Sequence, residues 1–157
     1  MLTRRELIKT GAAGTALLAL GGCAPTSDHR ALLGAIADAI LDGALPAQNP
    51  QRADAVWRAV RGVHAAISGL PPAVQSEVAQ LFGLLEFPLT RRVVAGVGPW
   101  SSLSRAQVDG FLERWRTSNA TLLRSGYQAL HQLTMAGWYG ADATWVAIGY
   151  PGPPRIV

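Results

Sequence analysis

The sequence holds a single cysteine, Cys23, in 157 residues. One thiol excludes an internal disulfide and excludes the Cys-x-x-Cys-His arrangement that attaches c-type haem. Lysine is as scarce, with Lys9 standing alone beside 13 arginines, a bias from which no function follows. Charged side chains make up only 15% of the chain. No stretch is long and apolar enough to cross a bilayer: the apolar run from Gly11 to Gly22 falls short of the about 20 residues a spanning helix needs. No segment alternates apolar and polar residues for long enough to build a sheet. Imidazoles are few, His29, His64 and His131, and none has a second ligand at helical spacing, which argues against a metal site.

What is present is apolar and aromatic. A hydrophobic fraction of 49% and five Trp supply one compact domain with a real core rather than a disordered tail. The formal charge of +4 includes Arg4, Arg5 and Lys9. Removal of the chain before Cys23 leaves 11 cations against nine carboxylates, a net charge of +2. A domain so close to neutral carries no electrostatic footprint for nucleic acid.

Thr3-Arg4-Arg5-Glu6-Leu7-Ile8-Lys9 matches the leader pattern read by the twin-arginine translocase, which exports folded proteins. The apolar run that follows is diluted by Gly, Ala and Thr, as suits that route. It ends Leu20-Gly21-Gly22-Cys23, the form of a lipobox, in which small residues admit the peptidase and the Cys23 thiolate takes a diacylglycerol. Lipidation also accounts for the lone thiol in an exported protein. Cleavage after Ala24 instead would place Pro25 just after the cut. The expectation is a cleavable signal over 1–22, a tether over 23–28 and an all-α domain of four to six helices over 29–157. The product would be periplasmic and lipid-anchored to a membrane.

In the mature chain Leu33, Ile36 and Ile40 mark one helical face, with Ser27 or Asp28 as cap. Val56, Val60, Val63 and Ile67 mark a second, with Asn49 as cap, Pro50 at its first position and Gly69 at its end. Pro71-Pro72 opens a third helix with Val74, Val78, Leu81, Phe82 and Leu85 as its stripe, and Pro88 breaks or kinks it. A loop from Gly96 to Ser102 separates the halves. Ser104 and Gln107 have capping-box spacing ahead of Val108, Phe111, Leu112 and Trp115. The helical pattern continues or restarts through Leu123, Tyr127 and Leu130 to Trp138.

No catalytic constellation emerges. His64 sits beside the Val60/Val63/Ile67 stripe and reads as a core-edge histidine. The carboxylate pairs Asp38/Asp42 and Asp109/Glu113 are i,i+4 neighbours that read as solvated helix surface. Gly11-Ala12-Ala13-Gly14 lies in the leader, and Gly96-Val97-Gly98 is followed by Pro99 and Trp100 instead of a helix start, so neither cradles a phosphate. A serine nucleophile lacks its strand-turn-helix elbow. The chain reads as noncatalytic, with no cofactor of its own, so folded export points to a chain that folds quickly by itself or travels bound to a cofactor-bearing partner.

The densest local signal is at the C-terminus, Ala136-Gly137-Trp138-Tyr139-Gly140-Ala141-Asp142-Ala143-Thr144-Trp145 through Ile148-Gly149-Tyr150-Pro151-Gly152-Pro153-Pro154. Asp142 is expected to cap a short helix through Ile148, Gly149 to stop it in a left-handed conformation, and the prolines to force an extended exit. Two roles fit the aromatics. Trp138, Trp145 and Tyr150 can complete the domain's own core; alternatively Trp138, Tyr139, Trp145 and Tyr150 can anchor a partner.

At these residues, at the leader, and at Leu84-Leu85-Glu86-Phe87-Pro88-Leu89-Thr90-Arg91, the chain resembles the family named for gluconate 2-dehydrogenase subunit 3. The resemblance implies a noncatalytic small subunit that helps a large FAD-bearing oxidoreductase of the glucose-methanol-choline type to fold and reach the periplasm, often beside a cytochrome c subunit. FAD would belong to that partner. Many relatives have a cleaved leader without lipid, so the reading of Cys23 rests on its own four-residue motif. A different class of function, a free-standing envelope lipoprotein that binds a small ligand or acts as a scaffold, remains the alternative.

Overall fold

A computed structural model describes residues 29–47, 49–145 and 148–152. Arg4, Arg5, Lys9 and Cys23 lie outside these residues, as do the caps expected at Ser27 and Asp28. The fold is a single small all-α domain, with no strand among the described residues.

The first helix, α1 (Arg30–Ile40), is the hub. Leu32, Leu33, Ile36, Ala37 and Ala39 are all buried, a wider face than the Leu33/Ile36/Ile40 stripe, because α1 touches every other long helix of the domain. It ends at Leu41, and Gly43 turns the chain with a φ of +82°, a conformation that costs glycine little. Helix α2 (Gln51–Ser68) buries Val56, Val60 and Val63 as the spacing predicts, together with Ala55 and Ala59. Its N-cap is Pro50, with no side-chain cap bond, so the expected Asn49 cap and Pro50 as first helical residue are both shifted by one. His64 is exposed on α2 and is not a core-edge residue.

Helix α3 (Pro72–Glu86) stops where Pro88 demands it, because a residue before proline is driven out of the helical region, and Phe87 is extended at φ −65°, ψ 126°. A helix end leaves four carbonyls without partners. Here each finds one. The Gly83 carbonyl accepts from the Phe87 amide (2.9 Å), Leu84 from the Thr90 hydroxyl (2.5 Å), Leu85 from the Trp100 indole (2.8 Å) and Glu86 from Arg91 (3.1 Å). The bend that follows, α4 (Pro88–Thr90) running into a π turn (Arg91–Ala95), is thereby fixed to α3. Of the expected α3 stripe, Val78, Phe82 and Leu85 are buried, while Val74 is exposed.

Gly96, at φ +67°, ends the π turn, and the loop expected over Gly96–Ser102 contains a 3-10 turn (Trp100–Ser102). Helix α5 (Arg105–Arg116) has the predicted capping box: the Ser104 side chain accepts from the Gln107 amide, and the Gln107 side chain accepts from the Ser104 amide (2.8 Å). Helix α6 (Thr121–Tyr139) is a restart rather than a continuation. Aromatic rings fasten the loop to α5: Trp100 meets Phe111 edge-on at 5.3 Å, and Phe111 lies 4.8 Å from Trp115 on the same helix.

The most extensive helix pair is α2 with α6. The buried face of α6 is Gly126, Leu130, Thr134, Gly137 and Trp138, a row of mostly small residues that lets the neighbouring helices approach closely. The Thr134 hydroxyl donates to the Leu130 carbonyl (2.8 Å), so the one polar side chain on that face is satisfied.

Candidate functional site

The C-terminal aromatics grow from the last turn of α6. Trp138 is buried and belongs to the core. With Ala44, Pro46 and Arg58 it lines a half-open apolar hollow of about 210 Å³, together with Ala141, Ala143 and Thr144. That is below the ~300–1,000 Å³ usual for small-molecule sites. Tyr139 and Trp145 are half-buried. Beyond α6 the chain makes a 3-10 turn over Asp142–Thr144 whose cap is Ala141 and not the expected Asp142; the helix expected through Ile148 would cross residues 146 and 147, which lie outside the described residues.

This turn is held by side chains reaching back onto the end of α6. The Thr144 hydroxyl donates to the carbonyls of Trp138 (3.0 Å) and Ala141 (2.7 Å), and the Trp145 indole donates to the Tyr139 carbonyl (2.7 Å). These carbonyls include the last of α6, which would otherwise lack partners. Trp145 meets Tyr150 edge-on at 5.3 Å, the Tyr150 amide donates to the Trp145 carbonyl (3.0 Å), and Gly152 lies against the Trp145 ring. Gly149, at φ +68°, has the expected left-handed conformation. The result is a small aromatic knot docked on α6, with Ile148 (56% exposed) and Tyr150 (45% exposed) facing outward. Apolar side chains fixed by a hydrogen-bonded turn lose little entropy on being covered, which suits them to be contacted by a partner.

Of the carboxylates expected on solvated helix surface, Asp42, Asp109 and Glu113 are exposed and Asp38 is half-buried; Asp38, Asp42 and Asp109 in addition join a network across three helices. Arg52 donates to Asp38 (2.6 Å) and Asp42 (3.2 Å), while Arg105 donates to Asp109 (3.0 Å) and pairs with Asp38 and Asp42 at 3.4 Å each. Arg105 also donates to the carbonyls of Asp38 (2.8 Å) and Ala39 (3.0 Å), capping the C-terminal end of α1 where a cation is favoured. The hydrogen bonds from Arg52 and then Arg105 hold the Asp42 carboxyl below its ordinary range. The Asp38 bond raises Arg52; for Arg105 burial pulls downward but the bonds to Asp109 and Asp42 outweigh it. Glu113, paired with Arg116 at 2.8 Å, is likewise lowered. Every acid in the network has a guanidinium partner, an arrangement that braces helices rather than one poised for acid-base chemistry.

At the other end of α1, His29 Nδ1 lies 2.8 Å from Glu86 Oε2 and its ring meets Phe82 edge-on at 4.9 Å. Among the described residues no group of three or more His, Asp or Glu is arranged to hold a metal ion, and no helix is long and apolar enough to cross a membrane. Sequence reasoning passed over two features: the Arg52/Arg105 network, which depends on contacts 66 and 67 residues apart, and an exposed apolar group on the bend after α3. The signal for the second was in Phe87-Pro88-Leu89, since a proline that ends a helix leaves its apolar neighbours without a helical face to join. No family model, no curated protein and no solved structure matches the chain.

Proposed function

We propose that this chain is a noncatalytic small subunit of a periplasmic, membrane-associated FAD-dependent dehydrogenase, which assists folding of the catalytic subunit and carries it through the twin-arginine translocase. The observation that carries the reading is the pairing of a twin-arginine leader (Arg4, Arg5, Lys9) with a rigid C-terminal knot that turns Ile148 and Tyr150 outward. Folded export serves a protein that must acquire its cofactor or partner before crossing. A chain in which Asp38, Asp42 and Asp109 are paired with Arg52 and Arg105 between helices is suited to supply an address and a surface.

In this reading Trp138 builds the platform, Tyr139 and Thr144 fasten the knot, and Trp145 with Tyr150 presents the contact. FAD and the chemistry of hydride removal belong to the large partner, with a cytochrome c subunit as a further neighbour. Cys23 carries the lipid that holds the assembly at the membrane. The test is co-export. Replacement of Arg4 and Arg5 by Lys in the native host should leave both this chain and its flavoprotein partner in the cytoplasm. Arrival of the flavoprotein in the periplasm at its normal level would rule out the carrier role.

A further inference from the structure

The bend after α3 carries three strongly exposed apolar side chains: Phe87 at 50%, Leu89 at 65% and Val93 at 75%. Exposed apolar residues scattered singly are ordinary. These fall on one short α-to-π segment whose backbone is fastened to α3 through Thr90, Arg91 and Trp100, so the bend cannot fold back to bury them without breaking those bonds. The segment from Phe87 to Ala95 includes Arg91 and Arg92 and no carboxylate, and Arg114 reaches its end at the Ala95 carbonyl (3.0 Å). Apolar tips among guanidinium groups match the depth profile of an anionic lipid surface, acyl chains below and phosphates above.

A second observation says which surface covers this patch. His29, the first described residue, is held against Glu86 and Phe82, so the chain enters the domain beside Phe87. Six residue steps separate Cys23 from His29, at most about 20 Å of extended chain. A diacylglycerol on Cys23 therefore keeps this end of the molecule at the leaflet. The aromatic knot borders the hollow beside Ala44 and Pro46, past the other end of α1, about 16 Å away along that helix.

We propose that Phe87, Leu89 and Val93 insert into the interfacial layer of an anionic bilayer, with Arg92 and Arg114 at the level of the phosphates. The lipid supplies the affinity and this patch supplies the orientation, leaving the C-terminal knot turned away from the membrane for its partner. This rests on acylation of Cys23.

The test uses the full exported protein, purified from membranes and reconstituted in vesicles of phosphatidylcholine and phosphatidylglycerol. Nitroxide labels are placed through Leu89→Cys and, at the far end of α1, Ala53→Cys, and mass spectrometry reports the acyl chains on Cys23. The Leu89 label should be about fivefold less accessible to a water-soluble nickel chelate than the Ala53 label, as an interfacial depth of several ångströms implies. Equal accessibility in protein carrying the acyl mass overturns the insertion and leaves the anchor standing. Shielding of Leu89 by a co-purified protein without lipid present overturns it and assigns the patch to that protein. Absence of the acyl mass removes the anchor and this proposal together.

Discussion

Gly62 on α2 and Gly137 on α6 face each other where the two helices cross, and neither has room for a methyl group. A Cβ built on Gly62 would lie 2.6 Å from the carbonyl carbon of Gly137, and one on Gly137 would lie 2.8 Å from the carbonyl carbon of Gly62. The obstacle is backbone on both sides, so no side-chain rotation relieves it. Gly62→Ala or Gly137→Ala should destabilise the fold by about 2–3 kcal/mol in urea unfolding, since overpacking must push the helices apart. Gly34→Ala, whose Cβ would sit 3.8 Å from the Trp57 ring, should be neutral or gain up to about 1 kcal/mol from helix propensity. Equal effects at Gly62, Gly137 and Gly34 would show that the close crossing is absent in solution.

Much of this architecture was legible in the chain itself. The valine period of α2, the capping box at Ser104 and Gln107, and the break at Pro88 all appear where local rules put them, because each depends on residues within a turn or two. The α2–α6 seam was not legible, since apolar periodicity is blind to glycine: the packed face of α6 runs through Gly126, Thr134 and Gly137, which carry no hydrophobic signal. The Arg52/Arg105 network was hidden for a different reason. Asp38 and Asp42 look solvated along their own helix and acquire partners only when α2 and α5 pack against it. At the C-terminus the aromatics were marked but not sorted, and it is burial that separates Trp138 from Tyr150.

Arg105 joins α5 to the end of α1 through two carbonyls and the acids Asp38 and Asp42, while Asp109 holds it from its own helix. Because it is partly shielded and bonds backbone as well as carboxylates, Arg105→Ala should cost about 1–2 kcal/mol, more than an exposed ion pair. Arg116→Ala, which removes only the solvent-screened surface pair with Glu113, should leave the unfolding midpoint nearly unchanged. Chemical denaturation of both variants at pH 7 checks the order.

The same network gives a pH dependence with a defined sign. Asp42 has a folded pKa below its unfolded value near 3.8, so its stabilisation is complete above that value and is lost as the pH falls through the lower folded one. Glu113 behaves alike. Stability should therefore fall as the pH drops below about 4, and the Arg105→Ala variant, which frees Asp42 from one guanidinium, should lose less on that descent. A steeper loss in the variant would contradict the assignment.

Trp138 and Tyr150 should separate stability from assembly. Trp138→Ala opens a cavity in the core and should lower stability by about 3–5 kcal/mol. Tyr150→Ala removes a ring that is nearly half exposed and should cost under about 1 kcal/mol while sharply lowering recovery of the proposed flavoprotein partner. Trp145→Ala, which also breaks the bond to the Tyr139 carbonyl, should fall between them. Unfolding curves and co-purification yields, measured on the same preparations, give both readings.

The most direct measurement is an affinity pull-down of this protein from its native host in mild detergent, with mass spectrometry and an absorbance scan of the eluate. A stoichiometric large chain with the absorption bands of bound flavin is the expected result. A clean, colourless single chain would contradict the carrier role and favour the alternative proposal of a free-standing envelope lipoprotein.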